Sequence, residues 1–117
     1  MQQIGRFAPS PSGRMHLGNV FSAMLAWLSI RSCGGKLVLR IEDLDPDRCR
    51  PAYADTLKRD LEWLGLTWDT EQTPQSRRSE AYREMFSRLE EQGLIYPCYC
   101  SRTELHAASA PHASDGT

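Results

Sequence analysis

The sequence predicts an α/β fold built on a doubly wound parallel sheet. Two observations carry this expectation. Short β-rich runs alternate with helical periodicities in the order strand, helix, strand, helix, strand, helix, strand, and such alternation marks a parallel sheet with right-handed crossovers. The run "KLVLRIE" (36–42) is also almost continuously apolar, the pattern of a strand buried on both faces.

Each element has its own signal. "IGRFA" (4–8) is short and apolar and runs into a Pro/Ser/Gly stretch, so a first strand is expected there. From Asn19 to Arg31, Val20, Met24, Trp27, Leu28 and Ile30 recur at helical spacing. "CGG" (33–35) stops that helix, because glycine supplies the left-handed residue a helix C-terminus needs. The second strand is 36–42, followed by the polar loop "DLDPDRCRP". In "AYADTLKRDLEWLG" (52–65), Tyr53, Leu57, Leu61 and Leu64 form one stripe and Gly65 ends it. "LTWDTEQTPQS" (66–76) reads as a short strand or turn. "SEAYREMFSRLEEQG" (79–93) repeats the helical pattern with Tyr82, Met85, Phe86 and Leu89. "LIYPCYC" (94–100) is a fourth strand candidate, and Ser101 and Glu104 stand at capping-box spacing for a last helix. The small, polar tail 106–117 is expected to be mobile. The helical spacing of Trp27, Trp63, Tyr82 and Phe86 assigns them to the core.

The 117 residues suffice for about one domain. A charged share of 25% and a hydrophobic share of 40% describe an ordinary globular chain, and the net charge of -1 argues neither for nor against a nucleic-acid partner. Among 14 basic residues only Lys36 and Lys58 are lysines, and arginine's planar fork suits carboxylates and phosphates. No run approaches the ~20 apolar residues of a membrane span, and the N-terminus lacks a charged-then-apolar leader pattern. The expected setting is the cytoplasm, where Cys33, Cys49, Cys98 and Cys100 would be thiols or metal ligands.

The segment "FAPSPSGRMHLGN" (7–19) leaves the first strand and opens the first helix. Ligands of open parallel sheets sit at the carboxyl ends of the strands. Gly13 and Gly18 let backbone approach a ligand, a helix N-terminus favours anions, and His16 can donate a hydrogen bond to phosphate. These residue types suit a nucleotide, although the segment is neither a Gly-x-Gly-x-x-Gly turn nor a Walker loop.

The whole segment resembles the His-Ile-Gly-His signature of class I aminoacyl-tRNA synthetases in its glutamyl form, with Asn19 in the place of the last His. "GGKLVLRIEDLDPDR", "WLGLTWD", "QSRR" and "YPCYCSRTEL" continue the resemblance in the family's order. Leu44-Asp45-Pro46 and Asn19-Val20-Phe21 look like the shorter paralogues of the glutamyl branch, which attach glutamate to queuosine in tRNA(Asp). The resemblance implies a Rossmann-like nucleotide-binding domain that uses glutamate and ATP (with Mg) and acts on tRNA(Asp).

It further implies roles residue by residue. Arg6, Phe7, Ala8, Pro9 and Ser10 would line the glutamate pocket with Glu42. The Arg6 guanidinium would hold the substrate carboxylate, and Glu42 the α-ammonium. Pro9, Ser12, Gly13, His16, Gly18 and Asn19 would contact ATP, with His16 and Gly18 acting in catalysis. Asp43 and Asp45 read as loop acids or helix N-terminal charges in preference to a Mg²⁺ pair. Cys98 and Cys100 would share one face of a strand and supply two of the four zinc ligands, with no required role for His106 or His112.

Residues 1–100 are then expected as the N-terminal half of the catalytic domain, and 101–117 as the start of the zinc-binding insertion. No Lys-Met-Ser-Lys-Ser type loop occurs in these residues, and little aminoacylation is expected of the chain alone. A piece of a discriminating glutamyl-tRNA synthetase and a non-catalytic glutamate- or ATP-binding module are the alternatives.

Overall fold

In a computed structural model, which describes residues 1–101 and 103–105, three parallel strands lie in the order β1 (Ile4–Phe7), β2 (Lys36–Arg40), β3 (Thr70–Gln72). Helix α1 (Leu17–Ser32) connects β1 to β2, and α2 (Pro51–Trp63) connects β2 to β3. A short 3-10 turn (Gln75–Arg78) leads into α3 (Ser79–Glu91). The chain divides into two compact units, Met1–Tyr82 and Arg83–Thr117.

The strand register sets the faces. Arg6 pairs beside Val38 and Thr70, and Phe7 beside Leu39 and Glu71. Neighbours in a parallel ladder share a face. Leu39 and Ile41 of the β2 segment, Ala23 of α1, and Leu57 and Leu61 of α2 form one buried cluster. Phe7, Met15, Ala54, Leu66 and Trp68 pack around it. Full burial of each such leucine is worth about 1.5–3 kcal/mol.

Both crossover helices therefore cover the Leu39 face. On β2, Leu37 and Leu39 are buried, Val38 and Arg40 half-buried, and Lys36 exposed. The strand buries one face fully, where its apolar run predicted two. The apolar run reports β-propensity at Val38 as well as burial, and α1 and α2 supply a helical layer on one side only.

All three helices end as their glycines predict. Gly34 (φ 66), Gly65 (φ 75) and Gly93 (φ 69) are left-handed. At α1, Gly34 N–H donates to Arg31 O at 3.1 Å and Gly35 N–H to Ile30 O at 2.9 Å, which is a Schellman closure. The starts differ from the periodicity by a turn or less. α1 begins at Leu17 behind His16, and α2 at Pro51, whose missing N–H costs nothing in the first helical turn.

Two of these expectations fail. Residues 94–100 form no strand; Leu94, Tyr96 and Tyr99 are 64%, 80% and 92% exposed. Their apolar alternation is a half-buried strand's pattern, but no ladder hydrogen bond forms there among the described residues, and Pro97 has no N–H to donate. Trp63 and Phe86 are not core: they are 86% and 53% exposed, so helical spacing located a face without locating its cover. In α3, Met85 and Leu89 are exposed as well. The expected mobile tail, 106–117, lies outside the described residues. Ser101 and Glu104 do form the capping box: Ser101 N–H donates to Glu104 Oε2 at 2.6 Å, and Glu104 N–H to Ser101 Oγ at 3.3 Å. Among the described residues no helix is long and apolar enough to cross a membrane.

Candidate active site at the strand ends

The loop after β1 and the loop after β2 leave the same edge of the sheet and are tied together. Glu42 N–H donates to Pro9 O at 3.0 Å, and Arg50 N–H to Pro11 O at 3.3 Å. Gln75 N–H donates to Ile41 O at 3.1 Å. Buried Pro11 anchors the first loop under the second.

Two depressions open there. The first, about 300 Å³, is lined by Phe7, Ala8, Pro9, Ser10, Ser12, Gly13, His16 and Asn19 together with Arg14, Met15, Ser22 and Leu57. The second, about 250 Å³, is lined by Ser10, Ser12, Glu42, Leu44, Asp45, Arg48, Cys49 and Gln75. They share Ser10 and Ser12. Nine of the eleven residues expected to bind glutamate or ATP are thus brought to one place. Gly18 and Arg6 line neither depression. Gly18 is the second residue of α1, and a Cβ there would meet nothing within 4 Å. Arg6 is exposed, on the sheet face opposite Phe7, which it shares with Val38 and Arg40.

His16 is the N-cap of α1, with extended backbone (φ -95, ψ 172). Its N–H donates to Asn19 Oδ1 at 3.1 Å. His16 O accepts from Asn19 N–H and Val20 N–H. The N–H groups of Leu17 and Gly18 therefore remain as first-turn donors at the positive end of the helix.

Glu42 is half-buried, its carboxylate paired with the Arg40 guanidinium. Its carbonyl accepts a weak bond from Cys49 Sγ at 3.8 Å. Burial, then the charges of Asp45 and Asp43, push the Cys49 thiol up, so it stays protonated and donates. Asp43 is held below the usual carboxylate value. Burial works against this, and is outweighed by hydrogen bonds from Ser76 N–H (2.9 Å) and Ser76 Oγ (2.7 Å) and by Arg77. Asp45 Oδ1 accepts from the N–H groups of Asp47 and Arg48. Asp43 thus caps the 3-10 turn and Asp45 shapes its own loop, and the two do not converge as a metal pair. Arg14, Arg48 and Gln75 were missed as site residues; the only signal for the two arginines was their position beside the signature and the acidic loop.

Cys98 and Cys100 are exposed free thiols on irregular backbone. They therefore do not share one face of a strand, as their alternation predicted. Among the described residues no group of three or more His, Cys, Asp and Glu is placed to hold a metal. Two thiols alone do not fit a tetrahedral zinc site.

This geometry, with its signature segment at the strand ends, is matched by comparison with known proteins. A family profile described as tRNA synthetases class I (E and Q), catalytic domain, matches residues 4–114. The chain belongs to this family. Among its relatives is a glutamyl-Q tRNA(Asp) synthetase of Nitratidesulfovibrio vulgaris, 50% identical over 95% of this chain. One from Symbiobacterium thermophilum is 52% identical over 92%. The chain spans 37% and 36% of those two proteins. A crystal structure of a glutamate tRNA ligase from Elizabethkingia meningosepticum, in complex with its amino acid, superposes with a TM-score of 0.67 at 32% identity. That match covers 92% of this chain and 23% of the other. The parallel sheet with its crossover helices is therefore the Rossmann-like fold of this class I domain.

Proposed function

We propose that the chain carries the glutamate- and ATP-binding half of a ligase that forms glutamyl-adenylate and passes glutamate to queuosine of tRNA(Asp). The observation that supports it most is the paired depression at the strand ends, in which the His16 loop and Glu42 meet over Ser10 and Ser12. The names of the relatives support the choice of acceptor.

In this reading the first depression takes ATP. The free N–H groups of Leu17 and Gly18 and the His16 side chain meet its phosphates. The open space above Gly18 admits the nucleotide. The second depression takes glutamate, with Glu42 facing the α-ammonium and Ser10 between the two ligands. Arg6 turns its guanidinium to the substrate carboxylate when glutamate arrives. The α-carboxylate oxygen attacks the α-phosphorus of ATP, the bond to the bridging oxygen breaks, and pyrophosphate leaves with the electron pair. The chain's contribution is positioning and charge stabilisation. Asp43 and Asp45 are engaged by the loop, so Mg would come with ATP and would offset its phosphate charge. Zinc through Cys98 and Cys100 has no complete site among the described residues, and no step depends on it. The boundary after residue 100, between nucleotide fold and insertion, belongs to this same reading.

Calorimetric titration with glutamate, and separately with ATP, tests it beside Glu42→Ala. Glutamate binding at about micromolar to millimolar strength, lost in Glu42→Ala with ATP binding kept, is expected. A folded chain that binds neither ligand would sink the proposal.

A further inference from the structure

We infer that Arg40 is the positioning residue that sets the Glu42 carboxylate for an incoming ammonium group, an inference that rests on the glutamate reading of the site. The backbone around Glu42 is pinned before its side chain is considered. Glu42 N–H is spent on Pro9 O, Ile41 O accepts from Gln75 N–H, and Glu42 O takes the Cys49 thiol. What remains free is the side-chain torsion of Glu42. Arg40 removes that freedom. Burial on the segment alternates through buried Leu39 and Ile41, so Arg40 and Glu42 project from the same face, beside each other. Arg40 Nη2 pairs with Glu42 Oε1, with the side chains 17% and 28% exposed. Oε1 is thereby occupied and Oε2 is left to a ligand.

The cost of this arrangement argues for its use. Arg40 Nε is buried and has no hydrogen-bond partner. A half-buried ion pair with an orphaned donor is poor value for stability, and an apolar residue would serve the strand at least as well. Arginine at this position makes sense as an orienting fork. Arg6 shares the face, so this side of the sheet carries the Arg6 guanidinium beside the Arg40–Glu42 pair.

The test is titration of the chain and of Arg40→Met and Arg40→Lys with glutamate and with ATP, together with the ¹⁵N spectrum of the Arg40 Nε–H in the ligand-free chain and in Glu42→Gln. Loosening one side chain that binding must then re-order is expected to weaken glutamate by about tenfold in Arg40→Met, with ATP affinity unchanged. Arg40→Lys, which keeps the charge without the fork, falls between and covers the case in which Arg40→Met does not fold. Equal loss of both ligands would reduce Arg40 to a structural role and overturn the inference, as would unchanged glutamate binding. If the parent chain binds no glutamate, the glutamate reading fails by itself, and the spectrum decides on Arg40. A slowly exchanging Nε–H that shifts in Glu42→Gln upholds its hold on Glu42; an Nε–H indifferent to Glu42→Gln refutes it.

Discussion

Asp69 receives Arg31 on the same carboxylate oxygen that receives the backbone of β2. Its Oδ2 accepts Arg31 Nη1 at 2.8 Å and Leu37 N–H at 2.7 Å, while Asp69 N–H returns a bond to Leu37 O at 2.9 Å. The Arg31 guanidinium also donates to Thr67 O at 3.1 Å and lies 5.7 Å over the Trp27 ring. One aspartate thus ties the end of α1, the start of β2 and the approach to β3 without being buried. The Leu37 N–H bond, and next the Arg31 bond, hold the Asp69 carboxyl below its usual value. A lowered folded pKa contributes stability that is complete above the unfolded value of about 3.9 and drains away as pH falls through the folded value. Thermal melts from pH 7 downward should show the loss beginning near pH 4. Asp69→Asn should melt lower at pH 7 and differ less from the parent at the acid end. A variant with the parent's pH profile would show that the aspartate carries no such linkage.

Gly35 is required for contact, not only for the turn before it. A Cβ there would stand 2.6 Å from Gln3 O and 2.6 Å from Ile30 Cδ1. The backbone oxygen accepts Lys36 N–H at 2.9 Å, so it cannot retreat without loosening the β1–β2 ladder. Gly35→Ala should cost about 1–3 kcal/mol, as overpacking does. Leu39→Ala, at a side chain 1% exposed, should cost about 2–5 kcal/mol through the cavity it leaves. Urea denaturation of both variants measures these values. A Gly35→Ala chain as stable as the parent would mean that the ladder shifts freely.

The sequence made some of this legible and hid the rest for physical reasons. Gly34, Gly65 and Gly93 announced the helix ends because a left-handed cap has few chemical solutions. The His16 loop and Glu42 stood out because small polar residues and a strand-end carboxylate are poor packing groups, and the structure brings their loops together. Trp63 and the 94–100 segment misled because apolar periodicity reports that a face exists and says nothing of what lies against it. Arg40 was invisible for a further reason. Inside "KLVLRIE" it reads as a strand residue, and only the alternation of burial reveals that it shares a face with Glu42.

Asn19 has work to do in the ligand-free protein. Its Oδ1 accepts His16 N–H at 3.1 Å, which closes the first turn of α1 and fixes the residue expected to meet phosphate. Loss of such a cap typically costs about 0.5–2 kcal/mol. Asn19→Ala should therefore lower stability by an amount in that range and weaken ATP binding, with glutamate binding retained. Asn19→Asp keeps the acceptor oxygen and should recover the stability. Its added charge, close to the phosphates, should leave the ATP defect in place. Urea melts and calorimetry together separate the two effects, and recovery of both by Asp would assign Asn19 to the helix alone.

Gly18 separates stability from binding in the opposite direction. It lies inside α1, where glycine is less favourable than alanine by up to about 1 kcal/mol. A Cβ would meet nothing within 4 Å, so packing does not demand a glycine. Its φ is not left-handed either. Nothing in the ligand-free fold explains its presence, whereas a nucleotide lying flat on the first turn would. Gly18→Ala should raise the melting temperature and weaken ATP binding in the same protein sample. Gly18→Val, with a branched side chain over the same spot, should weaken ATP further. A Gly18→Ala chain that binds ATP as the parent does would place the nucleotide away from this turn and move the search to the Arg14 side of the first depression.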